Sequence, residues 1–208
     1  MLRNAMKQCG LIAILRGIQP HEVAAMGLKL YEAGFRIIEV PLNSPQPFDS
    51  IRILRDGLPA DCVIGAGTVL TTDQVIAVKQ AGGEIIVMPH SAPHMIAAAK
   101  QAGLACAPGV ATVTEAFAAL AAGADVLKMF PAEQLGPNVV KAWRAVVPRE
   151  VELLPVGGIT PENLATFVSA GASGFGLGSA LYKPGLSAGQ VGQNAEKFVA
   201  AWRASQET

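Results

Sequence analysis

The chain has 208 residues, 51% of them hydrophobic, and its sixteen basic residues balance sixteen acidic ones. That is enough chain to bury one sizeable core, and no linker or low-complexity stretch divides it, so a single domain over residues 1–208 is expected. Zero formal charge without a Lys/Arg stripe argues against nucleic acid as a partner, and apolar runs of five to eight residues fall short of the roughly twenty that cross a bilayer.

The N-terminal stretch MLRNAMKQCG carries no signal-peptide apolar core. Cys9, Cys62 and Cys106 are odd in number and too far apart for a metal or redox motif, which suits a reduced, cytoplasmic compartment.

Along the chain one phrase recurs. EAGFRIIEV, QAGGEIIVM, QAGLACAP, AAGADVLKMF and SAGASGFGLG each set a glycine between an alanine-rich stretch and a short apolar run. A glycine there fits the left-handed stop of a helix, and unbroken Val/Ile/Leu runs fit parallel strands buried on both faces. Junctions at Gly10, Gly34, Gly57, Gly82, Gly103, Gly123, Pro148 and Gly171 are 20 to 25 residues apart. Strands are predicted over 11–16, 36–40, 62–66, 85–89, 104–107, 125–130, 152–156 and 173–177. Helices fill the gaps, with one more leading, and start near Pro20, Pro45, Thr71, Pro93, Thr112, Pro137 and Thr160 with Pro161.

Eight nearly equal strand–helix units favour a closed (β/α)8 TIM barrel with an extra N-terminal helix over an open doubly wound sheet. An open nucleotide-binding sheet would also want a G-x-G-x-x-G loop after its first strand, and ILRGIQP supplies none.

Barrel enzymes react at the C-terminal ends of their strands, so polar residues late in apolar strands are the candidates. Arg16 closes LIAILR, Glu39 sits inside RIIEVP and Lys128 inside DVLKMFP. Each alone could be a paired structural charge, Glu39 with Arg16 for instance. Together they suggest chemistry, because a buried lysine loses pKa by desolvation and becomes a nucleophile. The loops PVGGIT and FGLGSALY follow the seventh and eighth predicted strands, the usual phosphate cradle of this fold, and offer Gly157, Gly158, Gly178 and Ser179 as donors. Tight turns needing positive φ would explain the same glycines. GAGTVL brings Gly67 and Thr68 to the same mouth. His90 and His94 are four apart in PHSAPH, but Pro93 between them points to a helix start and no third ligand is near, so no metal is expected.

With these motifs in order, IEVPLNSP, GAGTVL, PGVATVTEAF, LKMFPAE, PVGGITPEN and GLGSALY, the sequence resembles the KDPG/KDPGal aldolase family from residue 10 to about 203. The resemblance implies a cofactor-free Schiff-base aldolase acting on a phosphorylated 2-keto-3-deoxy sugar acid, commonly as a homotrimer. It implies Lys128 as the Schiff-base lysine and Glu39 as the acid/base. Arg16 and Thr68 would hold the carboxylate and keto end, and Gly158, Gly178 and Ser179 the phosphate. Family members for the gluconate-derived substrate typically read EVTLR and PTGG, whereas this chain reads EVPLN and PVGG, with Asn43 and Val156 at the differing positions. The sequence therefore resembles the 2-dehydro-3-deoxy-6-phosphogalactonate type, with 2-dehydro-3-deoxy-6-phosphogluconate or dual use as the alternative. A phosphate-binding barrel isomerase or epimerase, or a sugar-phosphate binding protein, would share the glycine loops, but neither needs Lys128 inside a strand.

Overall fold

The computed structural model describes residues 1–207. It is an α/β fold with a curled parallel sheet. The strands are β1 (Leu11–Ile14), β2 (Ile37–Pro41), β3 (Val63–Gly67), β4 (Ile85–Val87), β5 (Ala105–Ala107), β6 (Gly109–Val110), β7 (Leu127–Met129), β8 (Leu153–Pro155) and β9 (Phe175–Leu177). The helices are α1 (Leu2–Gln8), α2 (Pro20–Ala33), α3 (Pro47–Gly57), α4 (Thr72–Gln80), α5 (Pro93–Gln101), α6 (Val113–Ala121), α7 (Ala132–Trp143), α8 (Leu164–Ser169) and α9 (Ala188–Gln206). Hydrogen bonds join six strands in the order β5-β4-β3-β2-β1-β9 and three in the order β6-β7-β8. Every pairing within these sheets is parallel. Only Pro108 separates β5 from β6, and a single parallel bridge, Val156 to Gly176, links the chain after β8 to β9.

The unbroken apolar strands are explained by two cores. Successive side chains of a strand point to opposite faces. On β2, Ile38 and Val40 belong to the large core beneath the helices, while Ile37 belongs to a smaller inner cluster with Ile12, Val63, Ile85, Val87, Ala107, Val126 and Leu154. The predicted leading helix completes that cluster: α1 packs Leu2, Ala5 and Met6 against it, a spacing that puts all three on one helix face. α1 therefore stops the end of the inner core away from the C-terminal strand ends.

The helix stops read from sequence are present. Gly34 ends α2 at φ 119°, and the same left-handed stop recurs at Gly82, Gly103, Gly123 and Gly171. Three helix starts differ from expectation. α3 begins at Pro47 rather than Pro45, because Gln46 before it takes a left-handed φ of 42°. α7 begins at Ala132 and is broken at Gly136 (φ 67°, ψ 170°), so Pro137 restarts a helix already under way. Thr160 and Pro161 lie in a turn ahead of α8, where Thr160 N–H donates to Asn163 Oδ1 at 2.9 Å. Among the described residues no helix is long and apolar enough to cross a membrane.

Close strand approach sets one firm requirement. A Cβ on Gly65 of β3 would collide with the backbone carbonyl of Ile85 on the neighbouring β4. Backbone in a sheet cannot rotate away, so Gly65→Ala is expected to cost about 2–3 kcal/mol, at the upper end of overpacking penalties. Urea unfolding monitored by circular dichroism measures this, with an unchanged midpoint as the contrary result.

Candidate active site

Glu39 and Lys128 arrive at one place by the same rule. Glu39 lies two residues beyond the inward-facing Ile37, and Lys128 two beyond the inward-facing Val126, so the pleat turns both into the strand-lined interior. They line one apolar cavity with Ile12, Ile14, Val87, Ala107, Leu154, Val156 and Gly176. Both are buried, at 2% and 7% exposure, the only charged side chains of the described residues at this depth.

The cavity changes their acidity. Burial pushes the Glu39 carboxyl from its ordinary 4.5 up to about 7, against the opposing pull of the Lys128 and Arg16 cations. Burial likewise lowers the Lys128 ammonium, with Glu39 opposing and Arg16 adding to the effect. Glu39 Oε2 has no hydrogen-bond partner. It is hemmed in by Gly67 at the end of β3, where any Cβ would fall on the carboxylate. Lys128 Nζ stands 4.7 Å over the ring of Phe130, which is exposed at the mouth.

The other expected residues surround this pair. Arg16 follows β1 and donates through Nη1 to Asn43 Oδ1 at 2.6 Å and Thr68 Oγ1 at 3.4 Å. Three residues drawn from three loops thus meet. Thr68 holds a left-handed φ of 55°, unfavourable for a β-branched residue and a kind of strain that recurs at functional positions. A second, wider cavity adjoins the first through Ile14, Val156 and Gly176, and it collects Arg16, Gly157, Gly158, Gly178 and Ser179. Gly157 and Gly158 take φ of 108° and 65°. Val156, buried at the junction of the two cavities, anchors it: its N–H donates to Met129 O at 3.0 Å, and its carbonyl accepts from Ala132 N–H at 2.8 Å.

Sequence reasoning missed three participants. Phe130 flanks the lysine, Tyr182 Oη donates to Glu22 Oε1 at 2.9 Å and ties the last loop to the start of α2, and Glu133 lies against Gly157 and Gly158. LKMFPAE contains two of the three, but nothing in its local pattern reveals which way they point. His90 precedes α5 with a buried, unpaired Nδ1, while His94 is exposed in its first turn, so the two do not form a common site. Among the described residues no group of three His, Cys, Asp or Glu could hold a metal.

A buried amine facing a carboxyl, beside a cavity rimmed by glycine loops and an arginine, can attack a carbonyl and relay a proton while an anion is held nearby. The family model described as Aldolase: KDPG and KHG aldolase matches residues 2–194. The chain belongs to the KDPG and KHG aldolase family. It is 50% identical over 194 residues to a probable 2-dehydro-3-deoxy-6-phosphogalactonate aldolase of Rhizobium meliloti, covering 93% of this chain and 92% of that one. It is 47% identical to the 2-dehydro-3-deoxy-6-phosphogalactonate aldolase of Escherichia coli K12, covering 93% and 94%. A solved native KDPGal structure superposes with a TM-score of 0.93 at 46% identity over 95% of this chain and 96% of that one. The KDPG aldolase of Legionella pneumophila, solved with pyruvate captured as a covalent carbinolamine, superposes with a TM-score of 0.81 at 25% identity over 97% and 96%.

The raised Glu39 pKa has a stability signature. Its proton is favoured in the folded state, so folding gains stability below about 4.5 and loses it as pH rises through about 7. Measured against Glu39→Gln, which carries no such proton, the native chain should lose on the order of 3 kcal/mol between pH 4.5 and pH 8. Paired urea titrations at the two pH values test this. A difference between the two proteins that does not move with pH would show that Glu39 is not desolvated.

Proposed function

We propose that the chain is a class I aldolase that cleaves 2-dehydro-3-deoxy-6-phosphogalactonate to pyruvate and D-glyceraldehyde 3-phosphate. The observation that carries this is Lys128 buried beside Glu39 in one apolar cavity. The relatives of that name in R. meliloti and E. coli support the substrate.

Neutral Lys128 attacks the C2 ketone, and loss of water from the carbinolamine gives an iminium. Glu39 takes the C4 hydroxyl proton as the C3–C4 bond breaks, the bonding pair passing into the iminium to form an enamine. The aldehyde leaves, C3 is protonated, and water releases pyruvate and restores the amine. A carboxyl titrating near 7 suits both directions of proton transfer. Arg16, oriented by Asn43 and assisted by Thr68, holds the C1 carboxylate and keto end. Backbone N–H groups at Gly157, Gly158 and Gly178, with Ser179, hold the phosphate, whose binding energy orients the departing half.

We read the two sheets as one closed (β/α)8 barrel within a single domain over residues 1–208. The continuity of β5 and β6 around Pro108 and the bridge from Val156 to Gly176 support that reading. We further propose a homotrimer, for which exposed Leu70, Ile76 and Phe117 offer apolar surface, and a cytoplasmic setting, in keeping with three buried free thiols.

Pyruvate with borohydride is expected to fix a reduced adduct on Lys128 alone, located by peptide mass mapping. Lys128→Ala should abolish both adduct and cleavage while keeping the fold. An adduct on another lysine, or none, overturns the mechanism. Substrate choice is tested at Val156, which offers no hydrogen bond to the C4 hydroxyl and so discriminates between epimers by about 1–3 kcal/mol rather than absolutely. Val156→Thr should move the ratio of kcat/KM values toward the gluconate-derived epimer, and a ratio that stays put removes Val156 as the determinant.

A further inference from the structure

Two charged residues line the wider cavity without a task in the reaction so far, Glu133 and Lys183. Glu133 stands in the first turn of α7, held at its base by the Ala132 N–H bond to Val156 O at 2.8 Å. Its side chain crosses both phosphate-loop glycines. A Cβ on Gly157 would fall on its carboxylate, and one on Gly158 would lie 3.1 Å from Glu133 Cδ and 3.3 Å from Oε1. Glu133 lines the same cavity as Arg16, Val156 and Ser179, yet its carboxylate makes no hydrogen bond or ion pair with any described residue.

An exposed carboxylate without a protein partner is a good acceptor for a neutral donor. It stands over Gly157 and Gly158, next to Val156, which is assigned above to the C4 hydroxyl, in the cavity that the far loop with Gly178 and Ser179 also lines. The part of a phosphorylated sugar acid that spans this interval is the carbon between C4 and the phosphate-bearing carbon, and its polar group is a hydroxyl. We infer that Glu133 accepts a hydrogen bond from the C5 hydroxyl of the substrate, which is the 2-hydroxyl of the aldehyde product. Glu133 is thus a specificity-determining contact for hydroxylated phosphoaldehydes. The inference rests on the aldolase reading above.

The test runs the reaction in the direction of addition, pyruvate to an aldehyde, with D-glyceraldehyde 3-phosphate and with 3-oxopropyl phosphate, which lacks only the hydroxyl. Glu133→Ala is expected to lower kcat/KM about tenfold or more for the first aldehyde, the size of one charge-assisted hydrogen bond, and to leave the second within about twofold. Glu133→Gln keeps an acceptor and the side-chain volume over the glycines, so it should show a smaller loss confined to the hydroxylated aldehyde. Equal losses with both aldehydes would mean that Glu133 only shapes the phosphate loop, and no loss with either would mean that it touches nothing; both overturn the inference. Borohydride trapping of pyruvate on the same proteins needs no aldehyde. A wild-type chain that fails to trap pyruvate defeats the aldolase reading, whereas trapping together with equal losses defeats only the role of Glu133.

Discussion

The site depends on the period of two along a strand. Strands covered by helices on one side and meeting one another on the other must be apolar at every position, so a charge placed anywhere in them is buried. Glu39 and Lys128 occupy inward positions one layer beyond the inner apolar cluster. Both are almost wholly shielded from solvent. The chain is left with two ionisable groups whose cheapest charge state is set by each other and by the emptiness around them. Moving either by one residue would turn it outward into the helix-covered core, where its burial would bring only cost.

Around that pair the loops brace one another. Gly17 N–H donates to Ser44 Oγ at 2.9 Å, and Arg16 beside it is gripped by Asn43. Tyr182 bonds to Glu22 across 160 positions of sequence. The loop after β1 is therefore held by the loop after β2, and the first turn of α2 that follows it by the loop after β9. A guanidinium on a long flexible stem gains direction from this, and it faces the same cavity as Gly157, Gly158, Gly178 and Ser179.

Much of this was legible in the sequence because it is local. Apolar runs, glycine stops and the anomaly of Lys128 within LKM need no knowledge of what lies across the molecule. What was not legible depends on distance in space. Asn43 reads as a missing cation in EVPLN, whereas in the fold it is the partner that aims Arg16. Glu133 reads as an ordinary first-turn acid, since a helix N-terminus favours one, and only its contact with Gly157 and Gly158 sets it apart. The early start of α7 was masked by Pro137, a genuine helix-entry residue placed after a break rather than at the beginning. The short β6 escaped because Pro108 looks like a terminator, yet pairing resumes at Gly109, which sits opposite Lys128 in the register.

The plug formed by Leu2, Ala5 and Met6 bears on the kinetics of the proposed reaction. With α1 packed against one end of the inner cluster, apolar side chains close that side of Glu39 and Lys128, and the wider cavity adjoins the pair at Ile14, Val156 and Gly176. In the proposed reaction the three carbons that become pyruvate are bonded to Lys128, and the aldehyde half lies toward the wider cavity. Departure must then be sequential, aldehyde before pyruvate, and synthesis must load in the reverse order. That order follows from the covalent bond to Lys128 in the proposed mechanism, and the apolar end packed by α1 agrees with it.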